Sequence, residues 1–458
     1  MSNTNAEQPR LTLPGNAQPP NIATGKSLDP AAALDLISTS ARLLFQNGQT
    51  TERMVAASEQ LGEALGLRVT LFPRWGELVM RIEENAGSRY EIVAAEPAGM
   101  DMNKVAATMA AIDSVYSGRL EVAGMRSALE AIIRLPAVSL TRFTLLAAAG
   151  AVALAVIFGA ADLFSLVLIA LSAGTGAYLR RRLAGVSHNL FVQPFCAALL
   201  AGVVGAIAVR LQLSPVLQLV AVCPCMVLVP GPHFLNGMID LARARVTLGA
   251  ARVGYAILIT VMICAGLILG LALGGASLPA AGPSNSAPLG YDVVAAGTAV
   301  AAYGTFFAMP WRMLPIPILI GMLAHASRWV VISAAGASAA AGALVACLVV
   351  GVIITPIADR VRLPFAGLAF ASVVSLIPGV FLFRMAGGMV ELVTLGSKAP
   401  QEIFDQVIAN GATAILIILA MSFGLIFPKM CIQNLMDQCS RLGTNMTTIL
   451  PAVATQIS

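Results

Sequence analysis

The sequence predicts a mainly α fold: a polytopic membrane protein of about ten helices in two inverted five-helix repeats, with an N-terminal soluble α/β domain. Three observations carry this. First, 58% of the 458 residues are hydrophobic and only 11% are charged, a balance suited to lipid rather than water. Second, apolar stretches near the ~20 residues needed to span a bilayer follow one another from Arg142 to the C-terminal region. Third, two stretches are longer and interrupted alike. Pro215–Leu248 contains Pro230-Gly231-Pro232, and Pro364–Thr394 contains Pro378-Gly379. Pro removes a backbone donor and Gly loosens a helix. In lipid such a break survives only if it is buried in protein or lines a polar cavity. One site alone reads as a proline kink, but the recurrence suggests an internal repeat.

Residues 1–28 are polar and rich in Pro, Asn and Gln, so they read as a disordered tail and not as a signal peptide. The soluble domain is expected over 29–141. Leu36, Ile37, Leu43 and Leu44 recur at helical spacing within Ala31–Gly48, and Asn47-Gly48 stops that helix. Thr50 or Thr51 can cap a second helix running to Gly66. Arg68–Phe72, Glu77–Glu83 and Arg89–Ala94 alternate in polarity, with turn residues between them, and predict an antiparallel meander. Met102–Gly118 and Glu121–Leu135 return to helix. This domain has no nucleophile elbow, P-loop or His/carboxylate metal spacing. A regulatory, assembly or gating role is expected of it, with hydrolysis as the alternative.

The first membrane repeat is expected over 142–274, with helices at about 143–160, 162–179, 190–210, 215–248 (broken) and 250–273. A linker at 275–291 precedes the second repeat, 292–428, with helices at about 292–309, 312–326, 333–357, 364–395 (broken) and 403–427. Residues 429–458 form a C-terminal tail. Because five is odd, the second set enters the bilayer from the opposite side, an arrangement common among secondary transporters. Charge agrees. A cytoplasmic N-terminus puts Arg180, Arg181, Arg182, Arg243, Arg245, Arg252, Arg312, Arg360, Arg362, Lys429 and Arg441 inside. Only Arg210, Arg328, Arg384 and Lys398 fall outside or in the membrane. That bias favours cytoplasmic N- and C-termini. A net charge of +5 is too small to imply nucleic acid and is explained by this topology. Seven cysteines lie mostly in apolar helices and read as packing residues, with no completed metal cluster.

The runs LLFQNGQTTERMVAASEQLGEALGL, VLVPGPHFLNGMIDL and LIPGVFLF resemble the bacterial threonine/serine exporter (ThrE) family over roughly residues 30–427. The most specific piece is the Pro-Gly…Asn-Gly…Asp-Leu run at 230–241. The resemblance implies a fused two-half exporter of small amino acids in the bacterial inner membrane, driven by the proton gradient or membrane potential. It implies small dicarboxylates as an alternative substrate, and neither enzymatic activity nor a cofactor. Where a coupling ion is used, the resemblance implies protons, and a homo-oligomer is compatible with the family.

The physics of the breaks selects candidate residues. The half-helix starting at Pro230-Gly231 exposes amides that favour a carboxylate, and the preceding helix end offers carbonyls to an ammonium group. Pro378-Gly379 repeats both termini. Asn236 and Arg384 stand at the same offset from Gly231 and Gly379. Substrate binding is therefore assigned to Pro230, Gly231, His233, Asn236, Pro378, Gly379 and Arg384. Asp240 is singled out for coupling, since an ionisable residue in a spanning segment suggests a proton relay. The competing reading of Asp240 is an interfacial pair with Arg243 or Arg245. His233 could equally be a packed neutral histidine, and Glu391 an outer-surface residue. Gln193 is a weaker cavity candidate. His188 and His325 lie near predicted loops and are expected to carry no role. Rival readings are a membrane-anchored enzyme and a channel. The paired breaks speak against the first and the scarcity of intramembrane charge against the second.

Overall fold

The structure, a computed structural model, describes residues 30–84, 87–187, 189–213, 217–279, 287–361 and 364–441. The 1–28 tail, His188 and residues 280–286 of the linker lie outside that range. The N-terminal module runs α1 (Pro30–Gln46), α2 (Thr51–Ala64), β1 (Arg68–Arg74), β2 (Gly76–Glu84), β3 (Gly87–Ala95), α3 (Met102–Tyr116) and α4 (Val122–Ile133). The strands form one antiparallel sheet in sequence order, with Val69 opposite Ile82 and Leu78 opposite Val93. Period-2 alternation turns Val69, Leu71, Leu78, Met80 and Ile82 into the module core, against Ile37, Leu44 and Leu61 of the helices.

The membrane region runs α5 (Leu140–Ile157), α6 (Leu163–Ala184), α7 (Val192–Arg210), α8 (Leu217–Met226), α9 (Gly231–Ala242) and α10 (Val246–Leu273). It continues as α11 (Leu289–Phe306), α12 (Pro315–Ser333), α13 (Ala339–Val361), α14 (Phe365–Val373), α15 (Gly379–Leu395) and α16 (Gln401–Arg441). Among the described residues, eight helices are long and apolar enough to span a membrane, or nine if α8 and α9, bent by 54°, count as one. Of the ten predicted helices, the one at 292–309 forms as α11 but is not among these spans, since its 18 residues include Asp292 and several Gly, Thr and Tyr residues. The broken segment 364–395 forms differently. Gly379–Lys398 suffices to span on its own, leaving Phe365–Leu376 as a short apolar helix before it.

Three boundaries depart from the sequence reading. The predicted C-terminal tail from residue 429 is helical as far as Arg441, because Pro428 sits inside α16 and costs it one donor without ending it. The helix predicted to end at 326 continues to Ser333. Residues 243–245 form a turn, with Ala244 at φ 58°, so the broken segment expected to reach 248 ends at Ala242 and α10, expected from about 250, starts at Val246.

Glycine sets the closest packing, and in the same places in both halves. A Cβ at Gly202 of α7 would lie 2.3 Å from the Leu267 carbonyl of α10. One at Gly351 of α13 would lie 2.7 Å from the Gly424 carbonyl of α16. Third and fifth helices are thus joined backbone to backbone in each half. The first helices of the halves meet each other, Gly150 of α5 against Ala302 of α11.

The module is bound to both halves. The Met102 amide donates to the Phe307 carbonyl at the end of α11 (2.8 Å). Three consecutive residues at the start of α2 grip the rest: Thr51 bonds Asp240 of α9, Glu52 pairs with Arg243 (2.8 Å) and Lys429 (3.9 Å), and Arg53 pairs with Asp359 of α13. Of the two candidate caps, Thr50 takes the N-cap position without a side-chain hydrogen bond, and the Thr51 hydroxyl serves this contact. Met102 is buried in the membrane core, and Leu248 of α10 in the module core. The chain therefore leaves the module into α5, whereas α11 arrives at it.

Candidate functional site

Both breaks close locally in the same way. Pro230 has φ −83° and ψ 60°, and the Gly231 amide bonds the Val229 carbonyl at 2.9 Å. Pro378 has φ −77° and ψ 37°, and the Gly379 amide bonds the Ile377 carbonyl at 2.8 Å. Each is a three-residue turn near the inverse γ geometry, centred on proline. The first amide of each half-helix is thereby satisfied within the turn. The carbonyl end of α8 is met from the other half, where Tyr303 of α11 donates to the Met226 carbonyl at 2.9 Å. Tyr303 was not singled out from sequence, since an aromatic in an apolar helix carries no signal of the carbonyl it will find.

The breaks also cross. The site of a Gly231 Cβ lies 1.4 Å from Cζ of Phe370 in α14, so the ring occupies the space a side chain would take. A Gly379 Cβ would lie 2.9 Å from Cγ of Met226 in α8. Each glycine thus seats a side chain from the other half's broken helix. Gly231, Phe234 and Leu235 on one side and Phe370, Pro378 and Leu382 on the other enclose a cavity, closed by Met421 and Ser422 of α16. About 40 Å³ is open to the centre of a water molecule there, room for a few waters and not for an amino acid. Ser422 supplies the one polar side chain among its lining residues.

The predicted site residues divide. Pro378 and Gly231 line this cavity, while Pro230 and Gly379 form the turns beside it. His233, Asn236 and Asp240 share the opposite face of α9, as their helical spacing requires, and that face meets the module. The His233 ring is edge-on to Tyr255 and reaches the Ala98 backbone. Asn236 Nδ2 donates to the Gly48 carbonyl (3.2 Å). Asp240 is 0% exposed, bonded to Arg252 at 2.8 Å, Thr51 at 3.0 Å and Arg245 at 3.5 Å. The interfacial pairing weighed for Asp240 is present, with Arg252 as its closest partner, and Arg243 is taken by Glu52. Buried Gln49 Nε2, Thr50 Oγ1 and Asn236 Oδ1 have no hydrogen-bond partner among the described residues, so this seam carries unused polar capacity. Arg384 is half-buried on α15 outside the cavity lining, and Gln193 stands in the first turn of α7, also outside it.

One expectation is overturned. His325 is not beside a loop. It is 0% exposed within α12, with Nδ1 at 2.8 Å from Asp292 of α11 and Nε2 at 2.6 Å from the Ser375 hydroxyl. Ser375 belongs to the 3₁₀ turn Val374–Leu376 that leads into the second break.

Residues 35–274 match the ThrE family model, and residues 292–431 match a second model, described as Threonine/Serine exporter, ThrE. The chain belongs to the threonine/serine exporter family. Two matches in tandem make it the fused two-half form, with the boundary between them in the segment that joins α10 to α11. No curated protein and no solved structure matches it. For this exporter-family chain the two breaks are one from each matched half, and the cavity between them is the place where the halves share their irregular backbone.

Proposed function

We propose that the chain is a secondary transporter that exports small amino acids such as threonine and serine across a bacterial cytoplasmic membrane, coupled to protons or the membrane potential. The observation that supports this best is the crossed seating of the two breaks, Gly231 under Phe370 and Gly379 against Met226, around one cavity. A bilayer-spanning anchor has no use for two matched breaks, and transporters place substrate where such breaks meet. The small cavity is the contracted form of the site. Substrate enters as the halves rock apart and the glycine contacts open, exposing half-helix amides to its carboxylate and helix-end carbonyls to its ammonium.

The matching third–fifth helix packing, and α5 leaving the module where α11 arrives, support two inverted repeats. The arginine bias supports a cytoplasmic module. On that topology His233 and Asn236 are met first, on the cytoplasmic seam, and Arg384 last. Arg384 lies five residues beyond Gly379, ~7.5 Å along α15 towards the outside. Asp240 acts in coupling through its hold on the module.

Counterflow in proteoliposomes tests the reading. Vesicles preloaded with unlabelled threonine should take up labelled threonine and serine at equal concentrations. Exchange confined to dicarboxylates would replace the substrate, and no exchange with any small amino or dicarboxylic acid would end the proposal.

A further inference from the structure

We propose that Asp292, His325 and Ser375 form the proton-carrying relay of transport, an inference that rests on the transporter reading. The three residues come from α11, α12 and the turn before the second break, 33 and 50 residues apart in sequence, and all are buried. Buried ionisable groups in a spanning region are costly unless paired, and packing alone would be served by apolar residues. Here the pairing is a continuous line. Asp292 is in the first turn of α11, towards the helix end away from the module, and Ser375 is three residues before Pro378. The line therefore runs from the far side of the membrane region to the break.

The proton step balances within these atoms. In the unloaded state the Asp292 carboxylate accepts Nδ1–H of His325, and Nε2 accepts the Ser375 hydroxyl proton. Loading adds one proton at Nε2. The imidazolium and carboxylate then form a neutral pair overall, and Ser375 becomes an acceptor from Nε2–H. Its own O–H must rotate to a new partner. That reversal occurs in the turn whose geometry sets the break, so proton occupancy changes the hydrogen bonding beside Pro378. Release returns the Nε2 proton and restores the first pattern.

The charged and titratable groups around the pair are few. Arg328, one turn beyond His325, acts on both Asp292 and His325. Tyr291 is exposed, and Tyr303 bonds Met226. Arg142 of α5 bonds Thr305 at the module end of α11, Asp359 of α13 pairs with Arg53, and Arg312 and Arg360 also stand at module-side helix ends. α14 contributes no titratable side chain.

The same three groups in this order can activate a serine for acyl transfer. Ser375 is 4% exposed and His325 0%, which closes both to a substrate carbonyl in this conformation.

The experiment compares counterflow with uphill transport in proteoliposomes under an imposed pH gradient. Gln replaces both hydrogen bonds of His325 and carries no proton. His325→Gln should keep threonine counterflow and lose accumulation against the gradient. Asp292→Asn removes the charge that stabilises the imidazolium, so uphill transport should move to lower pH. The relay is overturned if His325→Gln still accumulates threonine uphill, or if both variants lose protein without any change in coupling or pH profile in what remains. It is also overturned if Ser375 reacts with a fluorophosphonate and the protein hydrolyses esters. Failure of counterflow in the unsubstituted protein would instead count against the transporter reading itself.

Discussion

Gly231→Ala will lower transport by about tenfold or more while the protein still reaches the membrane, and Gly231→Leu will abolish it. Space decides this, because the added Cβ would sit 1.4 Å from Cζ of Phe370, inside a ring that is itself buried in the core. Forcing one methyl into a packed site costs about 1–3 kcal/mol, and each 1.4 kcal/mol is about tenfold in an equilibrium. The penalty falls on the closed form, where the two breaks touch. Gly379→Ala should be milder, within about threefold, since its added carbon meets Cγ of Met226 at 2.9 Å and a methionine side chain can turn aside. A smaller partner should rescue the tighter site. Gly231→Ala combined with Phe370→Leu should transport better than Gly231→Ala alone. Initial rates of threonine counterflow check all of these. A double variant no better than the single one would mean the Gly231–Phe370 contact does not limit transport.

Asp240→Ala will remove most of the folded protein from the membrane. The substitution leaves Arg252, 1% exposed and 2.8 Å from the lost carboxylate, as a buried cation, with Arg245 and Thr51 also deprived of an acceptor. Breaking a buried pair from one side costs about 3–5 kcal/mol, because the remaining charge is neither solvated nor compensated. Removing both partners avoids that penalty, so Asp240→Ala with Arg252→Met should recover much of the lost protein. Fluorescence-detected size exclusion of tagged protein in detergent measures it. Asp240→Asn separates the two roles considered for this residue. A normally abundant Asp240→Asn protein that keeps exchange but loses uphill transport would make Asp240 the proton-coupling group. Normal abundance of Asp240→Ala would show that the Asp240–Arg252 pair does not hold α9 against α10.

The parts of this molecule that were legible in the sequence are those set by local chemistry. The helices follow from runs of apolar residues of spanning length, and the β1–β3 meander from alternation with turn residues between. The breaks follow from Pro-Gly, whose missing donor no neighbour can supply. Helical spacing also put His233, Asn236 and Asp240 on one face. It could not say what that face would meet, since Thr51 is 189 residues from Asp240. Spacing alone assigns His233 and Asn236 to substrate and Asp240 to coupling, and the face they share lies against the module. His325 stands one residue before the predicted helix end at 326 and so reads as a loop neighbour. In the folded chain the Trp329 indole bonds the Ala287 carbonyl (3.1 Å) and the helix continues to Ser333. Asp292 is the first residue of the helix predicted at 292–309, and nothing near it in sequence signals a partner. Its partnership with His325 exists only once α11 and α12 are packed.

The central claim is that both breaks border one substrate site. Single cysteines at Phe234 and Leu382, on opposite sides of the cavity, test it in a background from which the native cysteines have been removed. Labelling by a small thiol reagent should slow at both positions as threonine is added, with the same half-saturating concentration as counterflow. If saturating threonine leaves labelling at both positions unchanged while these proteins still transport, the substrate does not bind between the breaks.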